Sequence, residues 1–180
     1  MGVDFTQLRA AVREAAEKAF TQVRASHSDE QFYAFALYTD DGPMTIVPAA
    51  NTEEGFRRNT GLDPEEANYY RWATGEWAYE ASGSGAFQRV YELLNAGGRD
   101  GEEGGEEDSP DPAAFHSRVI EAMISALGEL DSEGFFGGGS AREQVTLFVS
   151  VSDSDESAAI EDASAQRLNP APVYARFARR

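Results

Sequence analysis

Cysteine is absent from this 180-residue sequence, and histidine occurs only as His27 and His116. The first absence excludes disulfides, thiol nucleophiles, thiolate zinc sites and iron–sulfur clusters. Because the two histidines are far apart along the chain, few side chains are available to form a Ser-His-Asp triad or a histidine-based metal site. No apolar run is longer than the seven residues from Phe32 to Tyr38, which is too short to span a bilayer. The N-terminus carries no basic patch before an apolar core, so we expect no secretory signal and a cytoplasmic protein.

Basic residues are scarce, with 15 Lys and Arg against 32 Asp and Glu, for a net charge of −17. A protein this acidic repels phosphate backbones and anionic membrane surfaces, so we expect neither a nucleic-acid partner nor a membrane partner. The charge favours a basic protein or a cation as partner. The simpler interpretation is a surface that only keeps the protein soluble, since acidic surfaces are common and need no partner.

The size and the 41% of apolar residues predict one folded domain over residues 1–180. Apolar residues at spacings of three and four predict a helix over residues 4–26. An apolar, aromatic-rich run predicts a strand over 31–38, and after a turn a second strand over 44–47 completes a hairpin. Residues 48–82 are irregular, with helix start signals at Asn51 and at Asp63.

The second half begins with a helix around residues 87–94. The segment from about 97 to 112 then holds seven acids, five Gly and two Pro, so we expect a mobile acidic loop. Further patterns predict a helix over 113–130, a strand over 145–151, a helix over 156–168 and a last strand over 173–177. The order predicts an α+β fold whose mainly antiparallel sheet packs with helices. The last strand–helix–strand unit could add one parallel pair.

The strongest candidate for a functional site is the cluster of residues around the two tryptophans. Glu76 and Glu80 are four residues apart and would share one face of a helix, with Arg71, Trp72 and Trp77 close in sequence. Two neighbouring carboxylates can perform acid–base chemistry or hold a divalent ion. In the alternative interpretation, the tryptophans anchor the core and the acids are solvated or paired with Arg71. No calcium-loop or phosphate-loop pattern is complete, so we predict no cofactor and no metal site.

Three ordered motifs resemble one known family. They are the run Phe32–Asp40, the segment Pro48–Gly55, and the aromatic segment Tyr70–Trp77; Leu168-Asn169-Pro170 also fits. They are similar to the bacterial family known as domain of unknown function 4303. The resemblance implies a small, stand-alone bacterial cytoplasmic protein in which the acidic loop is an insertion. It carries over no activity and no catalytic residue.

Two function hypotheses follow from these observations. The first is a non-enzymatic, acidic protein-interaction module of the immunity or antitoxin kind, which neutralises a basic partner by surface complementarity. The second is a carboxylate- or metal-dependent enzyme that uses Glu53, Glu54, Glu76 and Glu80 with Arg71. A purely structural or regulatory module stays open, as does the oligomeric state. The candidate binding residues are Asn51, Glu53, Glu54, Arg71, Trp72, Glu76, Trp77 and Glu80.

Overall fold

A four-stranded mixed sheet forms the middle layer of the fold. The computed structural model describes residues 2–59, 66–99 and 111–180. In this part of the chain the strands are β1 (Phe32–Asp40), β2 (Val47–Thr52), β3 (Tyr79–Glu80) and β4 (Thr146–Ser152), in the spatial order β3-β2-β1-β4. β2 is antiparallel to both β1 and β3, whereas β1 and β4 are parallel.

Helices cover both faces of this sheet. In the described ranges they are α1 (Phe5–Ser26), α2 (Glu53–Asn59), α3 (Ala67–Trp72), α4 (Gln88–Arg99), α5 (Pro112–Ser132), α6 (Ser157–Leu168) and α7 (Ala171–Phe177). None of these helices is long and apolar enough to cross a membrane. The α+β class predicted from the sequence is confirmed, with a sheet that mixes parallel and antiparallel pairing.

The two faces of the sheet have different cores. On the first face, α1, α4 and α5 pack on aliphatic and phenylalanine side chains such as Phe35, Leu37 and Leu147. On the second face small residues such as Ala36 and Ala49 leave room for aromatic rings. The rings on this second face are those of Tyr33, Tyr38, Phe56, Trp72, Trp77, Phe148, Tyr174 and Phe177.

The long helices begin close to the predicted residues 4 and 113, and each follows an aspartate that caps it. The Asp4 carboxylate accepts hydrogen bonds from the N–H groups of Thr6 (2.9 Å) and Gln7 (3.2 Å) at the start of α1. Asp111 does the same for Ala113 (3.1 Å) at the start of α5, and Pro112 occupies the first turn. Both helices bury apolar residues at spacings of three and four.

Two predicted elements are wrong. Residues 173–177 form part of α7 rather than a strand, because Val173 and Phe177, four residues apart, are buried on one side of a helix. The second strand of the hairpin begins at Val47 and not at Met44, which is 51% exposed. The strand ends in the polar residues Asn51 and Thr52, so the apolar pattern of the sequence does not predict its full length. Parallel pairing occurs between β1 and β4, and not between the strands predicted at 145–151 and 173–177.

The ends of the predicted acidic loop are helical. Residues 97–99 complete α4, and Pro112 opens α5. Residues 100–110 lie outside the described residues, so the mobility of the loop stays a prediction.

Side chains cover the outer edge of β4. The amide of Asn169 accepts from the Leu147 N–H (2.9 Å) and donates to the Leu147 carbonyl (2.6 Å), much as a neighbouring strand would. The Ser164 hydroxyl accepts from the Val149 N–H (2.9 Å), and Arg142 donates to the Val145 carbonyl (2.5 Å). An open strand edge invites pairing with another chain, and these bonds remove that opportunity.

Replacing Asn169 by alanine should therefore be costly. The substitution leaves the buried N–H and carbonyl of Leu147 without partners, which should lower the free energy of unfolding by at least about 2 kcal/mol in urea titrations. The control is Asn95→Ala, since Asn95 donates only to exposed carbonyls on and near α4. That variant should stay within about 0.5 kcal/mol of the wild type. Equal losses in the two variants would contradict the edge-covering role.

Candidate functional site

Arg71 stands at the centre of the candidate residues. Its guanidinium forms a two-bond ion pair with Glu53, at 2.7 and 3.2 Å, and lies 4.1 Å from the centre of the Tyr33 ring. Burial lowers the pKa of Arg71, but the hydrogen bonds and charge of Glu53 outweigh this effect and raise it above its usual range. Arg71 is therefore a fixed cation, held by the first residue of α2 and the aromatic face of the sheet.

A chain of buried hydrogen bonds starts at the Arg71 carbonyl. This oxygen accepts from the Tyr33 hydroxyl (2.9 Å) and from the Trp77 indole N–H (3.1 Å). The Tyr33 oxygen in turn accepts a hydrogen bond from the side-chain amide N–H of Asn51 (3.0 Å). The side-chain oxygen of Asn51 accepts one from the Ala78 N–H (3.4 Å). Burial raises the pKa of Tyr33 far above its usual range, so its hydroxyl stays protonated and able to donate. Asn51 and Trp77 thus tie α3 and the following turn to β1 and β2.

The start of α2 explains the Asn51–Gly55 motif. The Thr52 hydroxyl accepts from the Gly55 N–H (2.8 Å), as a helix cap does. A Cβ atom at Gly55 would lie 2.7 Å from both the Ala78 Cβ and the Asn51 side-chain oxygen. Only glycine allows α2 to approach β2 this closely, so the motif is needed for packing.

The predicted glutamates have different partners. Glu53 pairs with Arg71, Glu54 accepts from the Gln31 backbone N–H (2.8 Å), and Glu80 accepts from the Tyr38 hydroxyl. Glu76 lies exposed on the turn Thr74–Glu76. Within residues 2–59, 66–99 and 111–180, no group of three or more His, Asp or Glu residues could hold a metal ion.

A cleft opens beside Arg71 at the amino ends of the parallel strands β1 and β4. We call it the Arg71 cleft; its volume is about 250 Å3. Its lining residues are Gln31, Tyr33, Glu53, Asn68, Arg71, Trp72, Gln144, Thr146 and Arg176. Two arginines against one glutamate make its formal charge positive, in contrast to the chain as a whole.

A second concavity lies at the carboxyl end of β4, and we call it the Asp153 depression. Its volume is about 520 Å3, and its lining comprises Tyr69, Ala73, Thr74, Gly75, residues 150–155, Ser157 and Glu161. Its described lining contains three acids and no basic residue. Glu161 is paired with Arg180 (3.1 Å), whereas Asp153 and Asp155 have no ion pair with any described residue.

Two features of this depression are uncommon in a folded surface. Asp153 has a φ of 57°, in the left-handed region that residues other than glycine seldom adopt. Tyr69 is 60% exposed at the rim. In the sequence, Asp153 and Asp155 belong only to an incomplete calcium-loop pattern, and no site is predicted there.

The sequence also does not indicate a network around Glu30. This carboxylate accepts from Arg58 (2.8 Å), from the Thr52 hydroxyl (2.6 Å) and from the Tyr79 hydroxyl (2.6 Å). The Arg58 hydrogen bond is the main cause that lowers the pKa of Glu30 to about 2. The four residues come from four places along the chain, so no local pattern could have brought them together.

A family model described as domain of unknown function (DUF4303) matches residues 12–170. The match runs from the first turns of α1 to the residue before α7 and contains most of both concavities. Neither the curated proteins nor the solved structures contain a match to this chain.

The tryptophan interpretation leads to a stability prediction. Trp77 is 4% exposed and packs against Phe148, which confirms for this residue the interpretation that the tryptophans anchor the core. Trp77→Ala should lower the free energy of unfolding by about 3–5 kcal/mol. Trp72 is only half-buried, so Trp72→Ala should lose clearly less in the same denaturant titration. A larger loss in Trp72→Ala would contradict this order.

The Glu30 network leads to a pH prediction. Because folding lowers the pKa of Glu30 from 4.5 to about 2, its contribution to stability is complete above pH 4.5 and is lost as the pH falls toward 2. The difference in unfolding free energy between wild type and Glu30→Gln should therefore be largest above pH 4.5 and shrink below it. Arg58→Gln removes the hydrogen bond that is the main cause of the lowered pKa of Glu30, so its difference in unfolding free energy from the wild type should show the same trend with pH. A difference that stays constant from pH 6 to about pH 3 would contradict the assignment.

Proposed function

This chain belongs to the DUF4303 family of domains of unknown function, and we propose that it binds a basic segment of another protein in the Asp153 depression. The family membership assigns no reaction, so the support for this proposal comes from the described surface. The observation that carries this proposal is a concave surface whose described lining has no basic residue and holds two carboxylates, Asp153 and Asp155, without an ion pair to any described residue. Other exposed acids, such as Glu121 and Glu133, already face an arginine. Glu14 and Asp29 have no ion pair with a described residue but lie outside the depression.

The remaining lining suits a lysine- or arginine-bearing segment. Ser152, Ser154 and Ser157 supply hydroxyl oxygens that accept hydrogen bonds from ammonium or guanidinium groups. Tyr69 offers an exposed ring and hydroxyl, and tyrosine is one of the residues enriched at protein interfaces. The net charge of −17 adds a long-range attraction that accelerates encounter with a basic partner.

The position and the backbone of the depression add support. It lies outside the carboxyl end of β4, which is parallel to β1, and ligands of α/β sheets commonly bind at that end of parallel strands. Asp153 keeps its left-handed conformation directly after β4, and uncommon backbone conformations cluster at binding sites. The finer form of the proposal is an immunity- or antitoxin-like role in the bacterial cytoplasm.

The enzyme hypothesis has less support from the geometry. Of its carboxylates, Glu53 is neutralised by Arg71, Glu54 is held by a backbone N–H, and Glu80 accepts from Tyr38. A general base or metal ligand at these positions would first have to give up a structural bond. The interaction hypothesis needs no such rearrangement.

Neutralising the two unpaired aspartates tests the proposal. Asp153→Asn/Asp155→Asn removes two negative charges, and asparagine tolerates the left-handed backbone at position 153. The matched control is Glu14→Gln/Asp29→Asn, which removes the same charge at exposed positions outside the depression. A partner captured from the native host with wild-type protein would be titrated against all three proteins. We expect the first variant to lose affinity by about tenfold or more and the control to change little.

Salt separates the local contact from the general field. For the wild type, the on-rate should fall steeply between low and physiological salt, while the off-rate changes less. Equal weakening by both variants would mean that only the overall charge matters. A partner that binds both variants like the wild type, or whose on-rate does not depend on salt, would refute the proposal. Turnover of a small molecule that is abolished by Glu76→Gln would support the enzyme instead.

A further inference from the structure

We propose that the Arg71 cleft binds a small organic anion, with the carboxylate or phosphate group on Arg176 and the apolar part of the ligand against Trp72. This site is separate from the Asp153 depression, because the two lie at opposite ends of β4. The inference therefore goes beyond the protein-binding function and can fail independently of it.

The charge of the cleft is the first argument. Arg71 is neutralised by Glu53, but Arg176 pairs with no carboxylate among the described residues. Its one described hydrogen bond goes to the Glu143 backbone carbonyl. Its positive charge is therefore not neutralised by a carboxylate of the described residues. A guanidinium has five N–H donors, so most of them stay available to an anion.

The rigidity of the site is the second argument. Arg176 lies on α7, whose Val173 and Phe177 are fully buried, so the position of its backbone is well defined. Opposite, Arg71 is held by two bonds to Glu53 and by the Tyr33 ring. A site whose parts are already in place loses little entropy when a ligand binds.

The rest of the lining suits a polar ligand with one apolar side. The side-chain amides of Gln31, Asn68 and Gln144 make no hydrogen bond with the described residues, so they can donate to and accept from a ligand. The Trp72 ring packs edge-on against Phe177, with ring centres 4.9 Å apart, and offers an apolar surface in the cleft.

The size of the cleft limits the ligand. Pockets for drug-sized ligands measure about 300–1,000 Å3, and the Arg71 cleft measures about 250 Å3. The occupant should therefore be of amino-acid or phosphomonoester size. A guanidinium recognises a carboxylate and a phosphate in the same way, since both groups accept two parallel N–H hydrogen bonds.

Four small probes distinguish the possibilities. N-acetyltyrosine carries a carboxylate and phenyl phosphate carries a phosphate ester; N-acetyltyrosinamide and phenol are their uncharged counterparts. Binding would be measured by calorimetry and by tryptophan fluorescence, with probe concentrations up to about 10 mM. Trp72 should respond, because it lines the cleft, whereas Trp77 is buried.

We expect at least one anion to bind and its uncharged counterpart to bind at least about tenfold more weakly. Arg176→Gln should weaken the anion by about tenfold to a hundredfold. The matched control Arg179→Gln removes the same charge from an exposed position outside the cleft and should bind like the wild type. Asp153→Asn/Asp155→Asn should also bind the probe normally, which separates this site from the depression. The tighter of the two anions identifies the ligand class.

Three results would overturn the inference. They are no binding of either anion at the highest concentration, equal binding of the charged and uncharged probes, or equal weakening by Arg176→Gln and Arg179→Gln. Thermal melting of both variants without probe checks that they fold. Because Arg176 is exposed and bonds only one carbonyl, its replacement should leave the fold intact.

Discussion

The buried hydrogen-bond chain from Asn51 through Tyr33 to the Arg71 carbonyl and the Trp77 indole holds the rest of the second face in place. It fixes α3, a helix of six residues that could not be stable alone. This helix supplies Arg71 and Trp72 to one concavity, and Tyr69 with the turn after it to the other. One internal tether thus positions both candidate sites.

The sealed edge of β4 is the second constraint. Asn169 and Ser164 satisfy the outward N–H groups of Leu147 and Val149, so α6 stays against the strand. Asn169 also directs the chain into α7, and α7 carries Arg176 to the amino end of β4. The bonds that prevent unwanted strand pairing therefore also place Arg176 in the Arg71 cleft.

Charge is distributed unevenly over the described surface. Among the residues that the structure describes, the aspartates of the depression after β4 have no ion pair, and Arg176 in the cleft at the other end of the strand has no carboxylate partner. The average charge predicts a basic partner and says nothing of a cationic cleft. The local arrangement therefore carries information that a net charge of −17 conceals.

The amino-acid sequence alone determined the elements whose causes are local. The long helices α1 and α5, their caps at Asp4 and Asp111, and the apolar strand β1 follow from spacing and from side chains a few residues apart. The burial of a tryptophan and the family resemblance also followed from the sequence. Only the tertiary structure decided the length of β2, the helical state of residues 173–177 and the partners of each glutamate. These depend on contacts between distant segments: Glu53 meets Arg71, and Asn51 meets Tyr33, only after the sheet and α3 have packed together.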